Sequence, residues 1–313
     1  MSIKRVSQLS FNPGPPIQDL PGKVTIGTAV DVGTNRAFGN GAADVTFTRA
    51  AIGGIPDTYT VTSNPGGFTA TGSSSPLRVT GLTGGSFYTF TVKGTITGIG
   101  TSVISDATPS TLITTKPSAP VVGLIQEEDG RDYDDGLIAL TVSANSGGSP
   151  IQYFTVVATP DPTIIPALPT VTLTGLSPIS LRPLKGHVNY TFTVTATNAN
   201  GTSATTTYGS NVYTLTTPQA PTLDSLTAVG TTGISVAFHA NGTGGSAITS
   251  YIITYSAADD DETSSEYASR TVTCTSSPYT ITKLLRGHKY YIKVQAVNRF
   301  GISQYSNILS RTL

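Results

Sequence analysis

The residues of this chain best suited to chemistry are acids gathered in two places. Glu127, Glu128 and Asp129 are followed by Asp132, Asp134 and Asp135, and Asp259 to Glu262 form an unbroken acidic run. Carboxylates this dense could supply the oxygen ligands of a calcium ion. The EF-hand order of alternate acids before a glycine is not met, because counting back from Gly136 gives Asp135, Tyr133 and Arg131. Asp132, Asp134 and Asp135 are thus candidate calcium ligands with no motif behind them. The second run has the composition of a solvated turn, and the reading as a whole is of a chain with no resident metal or cofactor.

Nucleophilic chemistry finds less support. The three histidines are His187, His239 and His288, and no Ser-His-Asp or Cys-His order emerges around them. His187 and His288 follow Gly186 and Gly287 in matching places, which suits a turn. The single cysteine, Cys274, lies in an alternating stretch on the same side as Val272, the setting of a small packing residue. It excludes an intrachain disulfide. Glycoside hydrolysis needs two carboxylates held across a cleft, and turns on a convex β-protein do not build one. Sugar binding is open, because exposed aromatic rings can stack on sugars. The chain has no Trp, so Tyr133, Tyr208, Tyr213 and Tyr305 are the candidates. The expected class is therefore not an enzyme.

Charge narrows the partners. Only 12% of residues are charged, and the formal net charge is zero. Residues 1–115 carry 7 Lys or Arg against 5 Asp or Glu, residues 116–217 carry 4 against 7, and residues 218–313 carry 7 against 6. No basic excess marks a nucleic-acid surface or an anionic membrane. No apolar run reaches the roughly 18 residues of a membrane span. The opening MSIKRVSQLSFNPGPP lacks the apolar core of a secretory signal, so synthesis and folding in a reducing cytosol are expected.

What must position these residues is a repeat. Tyr88-Phe90-Val92, Tyr190-Phe192-Val194-Ala196 and Tyr290-Ile292-Val294-Ala296 alternate in the same way, and Asn198 and Gly201 recur as Asn298 and Gly301. The last two copies are offset by 100 residues, a whole domain in tandem. Glycine pairs recur before the next strand, as Gly53-Gly54, Gly147-Gly148 and Gly244-Gly245. Period-two alternation predicts about seven short strands per copy, the pattern of a two-sheet sandwich. The joints TTKPSAP (Thr114 to Pro120) and TTPQAP (Thr216 to Pro221) each hold two prolines and read as stiff linkers.

These landmarks resemble the fibronectin type III domain. Leu82, Leu184 and Leu284 each stand six residues before Tyr88, Tyr190 and Tyr290. In that family the buried tyrosine hydroxyl bonds back to the preceding corner. Pro21, Pro120 and Pro221 fit the domain starts, and the stretch from Thr58 to Val92 is similar to the bacterial and bacteriophage branch. The resemblance implies an all-β chain of three tandem seven-stranded immunoglobulin-like sandwiches. Its divisions are an arm at 1–20 and domains at 21–116, 117–217 and 218–313. The family's usual strand-B Trp is absent, with Phe47, Val142 and Phe238 in its place, so altered packing is expected. Gly130-Arg131-Asp132 is not the integrin-binding tripeptide.

The arm stands outside the repeat. Ile3, Val6, Leu9 and Phe11 are its apolar residues and candidate docking contacts, and Asn12 to Pro16 impose an extended path. The function that the resemblance and the arm together imply is a structural or adhesion protein of a bacteriophage virion: a fibre, collar or capsid-decorating element. Its expected partners are other virion structural proteins, with weak contacts to host-surface glycans. The alternative is a bacterial surface adhesin, or accessory modules of a secreted carbohydrate-active enzyme.

Overall fold

The computed structural model describes residues 19–126, 131–209, 211–258 and 269–313. They divide into two compact units. One comprises the described residues up to Ser118 with Ser146–Ile151 and Asn198–Ser203; the other comprises those of Ala119–Asn145, Gln152–Thr197 and Ala204–Leu313. All regular structure among the described residues is β, and no helix is long and apolar enough to cross a membrane.

In the first unit, Thr25–Asp31, Gly41–Thr48 and Leu77–Leu82 form one antiparallel sheet in that order. Thr69–Gly72, Thr58–Asn64 and Phe87–Ile96 form the other, with Gly100–Thr101 and Thr111–Leu112 on the far side of Phe87–Ile96. The second unit repeats this arrangement twice. Ile179–Lys185, Asp135–Ser143 and Val121–Gln126 face a sheet built on Val171–Gly175, Ile151–Pro160 and Asn189–Asn198. After the linker, Thr222–Val229, Gly233–His239 and Tyr279–Ile281 face Arg270–Cys274, Ser250–Ala258 and Lys289–Asn298. The chain is a tandem of β-sandwiches, as the alternation predicts.

Alternation places the core. Along Phe87–Ile96 the residues Tyr88, Phe90, Val92 and Ile96 are buried while their neighbours face outward. Tyr190, Phe192, Val194 and Ala196 do the same in Asn189–Asn198, as do Tyr290, Ile292, Val294 and Ala296 in Lys289–Asn298. Burying each larger side chain contributes about 1.5–3 kcal/mol. Where a Trp is missing, Phe47 packs against Tyr59 at 4.7 Å between centroids, and Phe238 against Tyr251 at 4.8 Å. Cys274 joins the third core, where burial pushes its thiol pKa up, as befits a packing residue.

The corner before the long tyrosine strand recurs in all three sandwiches. The hydroxyls of Tyr88, Tyr190 and Tyr290 accept the backbone N–H of Thr83, Lys185 and Leu285 at 3.1, 2.9 and 2.7 Å. Leu82, Leu184 and Leu284 are buried beside them. A second recurrent device escaped the sequence reading. The hydroxyls of Ser75, Ser177 and Ser277 accept the N–H of Phe47, Val142 and Phe238 at 2.9, 2.8 and 2.8 Å. Each serine precedes a proline, at Pro76, Pro178 and Pro278. The Ser-Pro pairs were visible in the sequence, but nothing there showed which backbone donor they would meet.

The last strand departs from the expected alternation. Past Asn298 regular pairing covers only Gly301–Ile302 and Leu309–Thr312. Between them Ser303 and Ser306 each bond twice to the tyrosine strand. Their N–H groups donate to Ala296 O and Val294 O, and their hydroxyls accept from Ala296 N and Val294 N. The first sandwich does the same with Ser102, Ser105 and Thr108 against Gly94, Val92 and Phe90. Three residues here span two of the neighbouring strand. A hydroxyl replaces the backbone carbonyl that an ordinary ladder would supply.

Candidate functional site

The most elaborate polar constellation in the second unit is the linker at Thr216 and Thr217. Asn298 ends the tyrosine strand and is buried. Its Nδ2 donates to Thr216 O and to Thr243 O, both at 2.9 Å, and its Oδ1 accepts from Phe300 N at 2.8 Å. Thr216 N donates to Gly244 O, Thr217 N to Arg131 O and Gln219 N to Gly242 O. The glycines are needed for closeness. Gly244 has φ +74°, and a Cβ on it would lie 2.2 Å from Thr216 O. A Cβ on Gly242 would lie 2.4 Å from the Tyr133 hydroxyl oxygen.

The first unit holds the matching constellation. Asn198 Nδ2 donates to Thr115 O and Ser146 O at 2.8 Å, and its Oδ1 accepts from Asn200 N at 2.9 Å. Thr115 N donates to Gly147 O. The recurrent Asn, glycine pair and linker threonine, seen separately in the sequence, thus form one cluster. In the first sandwich Ile96 stands where the asparagine would be, and Gly54 N donates instead to Leu20 O at 3.1 Å.

His187 adds an aromatic plug to the linker in the second unit. Its ring stacks on Tyr133 at 4.0 Å between centroids and meets Tyr213 edge-on at 6.3 Å. Its Nε2 lies 3.0 Å from Tyr133 O and 3.1 Å from Thr216 Oγ1. The turn differs from that at His288: the left-handed residue is His187 itself, with φ +62°, whereas in the third sandwich it is Gly287. Burial, the largest cause, holds the His187 pKa below its usual value, against the raising effects of the Tyr133 carbonyl and Asp134. Asp134 is ion-paired with Lys185 at 2.7 Å. The folded state therefore resists protonation more than the unfolded one. The stability from neutral His187 is complete above about pH 6.5 and declines as the pH falls below it. Melting wild type between about pH 7.5 and 5.5 should show a steeper fall than His187→Asn, since Asn tolerates the left-handed backbone; parallel curves would contradict this.

The calcium candidates are drawn to separate partners. Asp132 accepts from Gln304 Nε2 at 3.1 Å, Asp134 pairs with Lys185 and Asp135 with Arg131. Among the described residues no three His, Cys, Asp or Glu side chains gather into a metal-holding group. Calcium at millimolar concentration should leave the melting temperature unchanged; a rise of several degrees would place an ion there. Glu127, Glu128, Asp129 and the run Asp259 to Glu262 lie outside the described residues, as do Ile3, Val6, Leu9 and Phe11. Of the candidate sugar-stacking residues, Tyr133 and Tyr213 belong to the linker cluster, Tyr208 donates its N–H to Phe192 O, and Tyr305 is 46% exposed.

Residues 219–312 match the family model of the fibronectin type III domain. That match spans the third sandwich. No curated protein sequence matches the chain. Among solved structures the chain is similar to the crystal structure of the chicken CNTN1 FN1–FN3 domains, at 19% identity and a TM-score of 0.37. The similarity covers 93% of this chain and 97% of that one.

Proposed function

We propose that this chain, with a fibronectin type III domain at 219–312 and two sandwiches of like build before it, is a non-catalytic structural or adhesion protein. The observation that carries this is the module type, since fibronectin type III domains are generally structural or adhesion modules. The polar groups support it. The asparagines, histidine and hydroxyls that could have served chemistry are engaged in linkers, corners and strand edges.

Our finer reading is a bacteriophage virion component that attaches through residues 1–20 and presents its sandwiches. Its support is the resemblance of Thr58 to Val92 to the bacteriophage branch and the apolar Ile3, Val6, Leu9 and Phe11. The second reading is a cell-surface adhesin, favoured by the exposed tyrosines and lysines of the third sandwich. Affinity capture from a phage-infected lysate, with the full chain and with residues 21–313, separates the two. Capsid, portal or tail proteins captured only by the full chain are the expected result. Equal capture of envelope components by both versions would move the function to the modules.

A further inference from the structure

The outer side of the third sandwich's larger sheet carries a hollow unrelated to the linkers. Along Lys289–Asn298 the residues Lys289, Tyr291 and Lys293 face outward. Across the pairing, Thr254 stands opposite Lys293 and Ser256 opposite Tyr291. Lys289 Nζ lies 5.1 Å from the centre of the Tyr291 ring, and Lys293 Nζ lies 3.6 Å from that of Tyr305. Thr254, Ser256, Ser269, Tyr291, Lys293 and Ile308 line a cavity of about 300 Å³. That is about ten times a water molecule's share of liquid volume, enough to seat a sugar ring.

One group in this lining is out of place. Thr254 is only 6% exposed, and its hydroxyl has no hydrogen-bond partner among the described residues. Burying a hydroxyl unpaired is costly. Valine has nearly the same shape and suits a strand at least as well, so packing alone does not call for threonine. A ligand hydroxyl would complete it.

We propose that this face binds a saccharide bearing a carboxylate. The inference deepens the adhesion reading and rests on it. Tyr291 offers a flat ring to the apolar side of a sugar. Thr254, Ser256 and Ser269 offer hydroxyls that both donate and accept. Lys293 is the cation assigned to the carboxylate. Lys289 does not line the hollow, so it serves less well. Lys293 also gates the floor. A carboxylate that draws its ammonium off Tyr305 shifts the side chain standing opposite Thr254 and opens that hydroxyl to the sugar.

The test is calorimetric titration of the purified full chain with trigalacturonate and 3′-sialyllactose, beside their neutral counterparts galactotriose and lactose. Millimolar binding of at least one acidic probe is expected. Lys293→Gln, Tyr291→Ala and Thr254→Val should each weaken it about tenfold. Thr254→Val should melt at the same temperature as wild type or higher, which separates a lost ligand contact from lost folding. The proposal is overturned if neither acidic probe binds, if the neutral counterparts bind as well, or if the folded variants bind like wild type. None of these outcomes depends on residues 1–20, so attachment to a virion stands or falls separately.

Discussion

Replacing Asn298 by alanine should destabilise the third sandwich by about 2–4 kcal/mol and free the linker before it. Its amide is the shared partner of three backbone groups from three segments: Thr216 O, Thr243 O and Phe300 N. Alanine leaves all three without that partner, and Asn298 itself is only 4% exposed, so water cannot readily replace the amide. The melting step of the third sandwich should fall by several degrees. Exchange of the Thr216 amide proton, now bonded to Gly244 O, should quicken. Asn298→Asp is the informative partner variant. It keeps an acceptor for Phe300 N but sets a carboxylate against two carbonyl oxygens, so it should be at least as damaging. If either variant melted and exchanged like wild type, the cluster would not be what holds the linker.

The second large effect should come from Ser303 and Ser306. Each hydroxyl accepts a buried N–H, of Ala296 and Val294 respectively, at 2.9 Å. Each also donates to the next residue's carbonyl, Gln304 O and Asn307 O. Ser→Ala strands a buried donor at either site, at about 1–3 kcal/mol apiece. The double variant should lose about 2–5 kcal/mol, with some departure from additivity because both act on one strand. Urea unfolding followed by far-ultraviolet dichroism would measure it. Ser306→Thr keeps the hydroxyl and should recover most of the loss. Ser105→Ala should reproduce the single effect in the first sandwich, where Ser105 Oγ accepts from Val92 N. Alanine variants as stable as wild type would mean that the strand edge needs no hydroxyl.

The tyrosine corner was legible through the family resemblance, which leucine and tyrosine six residues apart carry. The serine edge was not. Ser102, Ser105 and Thr108 are spaced by three, and so are Ser303 and Ser306, a period that reading for alternation passes over. The linker clusters fall between these cases. Asn298, Gly244 and Thr216 were each visible as recurring residues, but they lie 28 to 82 positions apart along the chain, and only the fold joins them.

From residue types and spacing alone came the all-β class, the tandem of sandwiches and the faces of the long strands. These follow from rules acting over a few residues: side chains alternate across a strand, and apolar ones avoid water. Tertiary structure decided which polar groups are spent and which remain open. It drew Asp132, Asp134 and Asp135 to three different partners and set His187 against Tyr133 beneath a linker. It also left the Thr254 hydroxyl without a partner among the described residues, beside Tyr291 and Lys293. Whether a buried polar atom is satisfied depends on strands and linkers distant in sequence, and no local spacing encodes that.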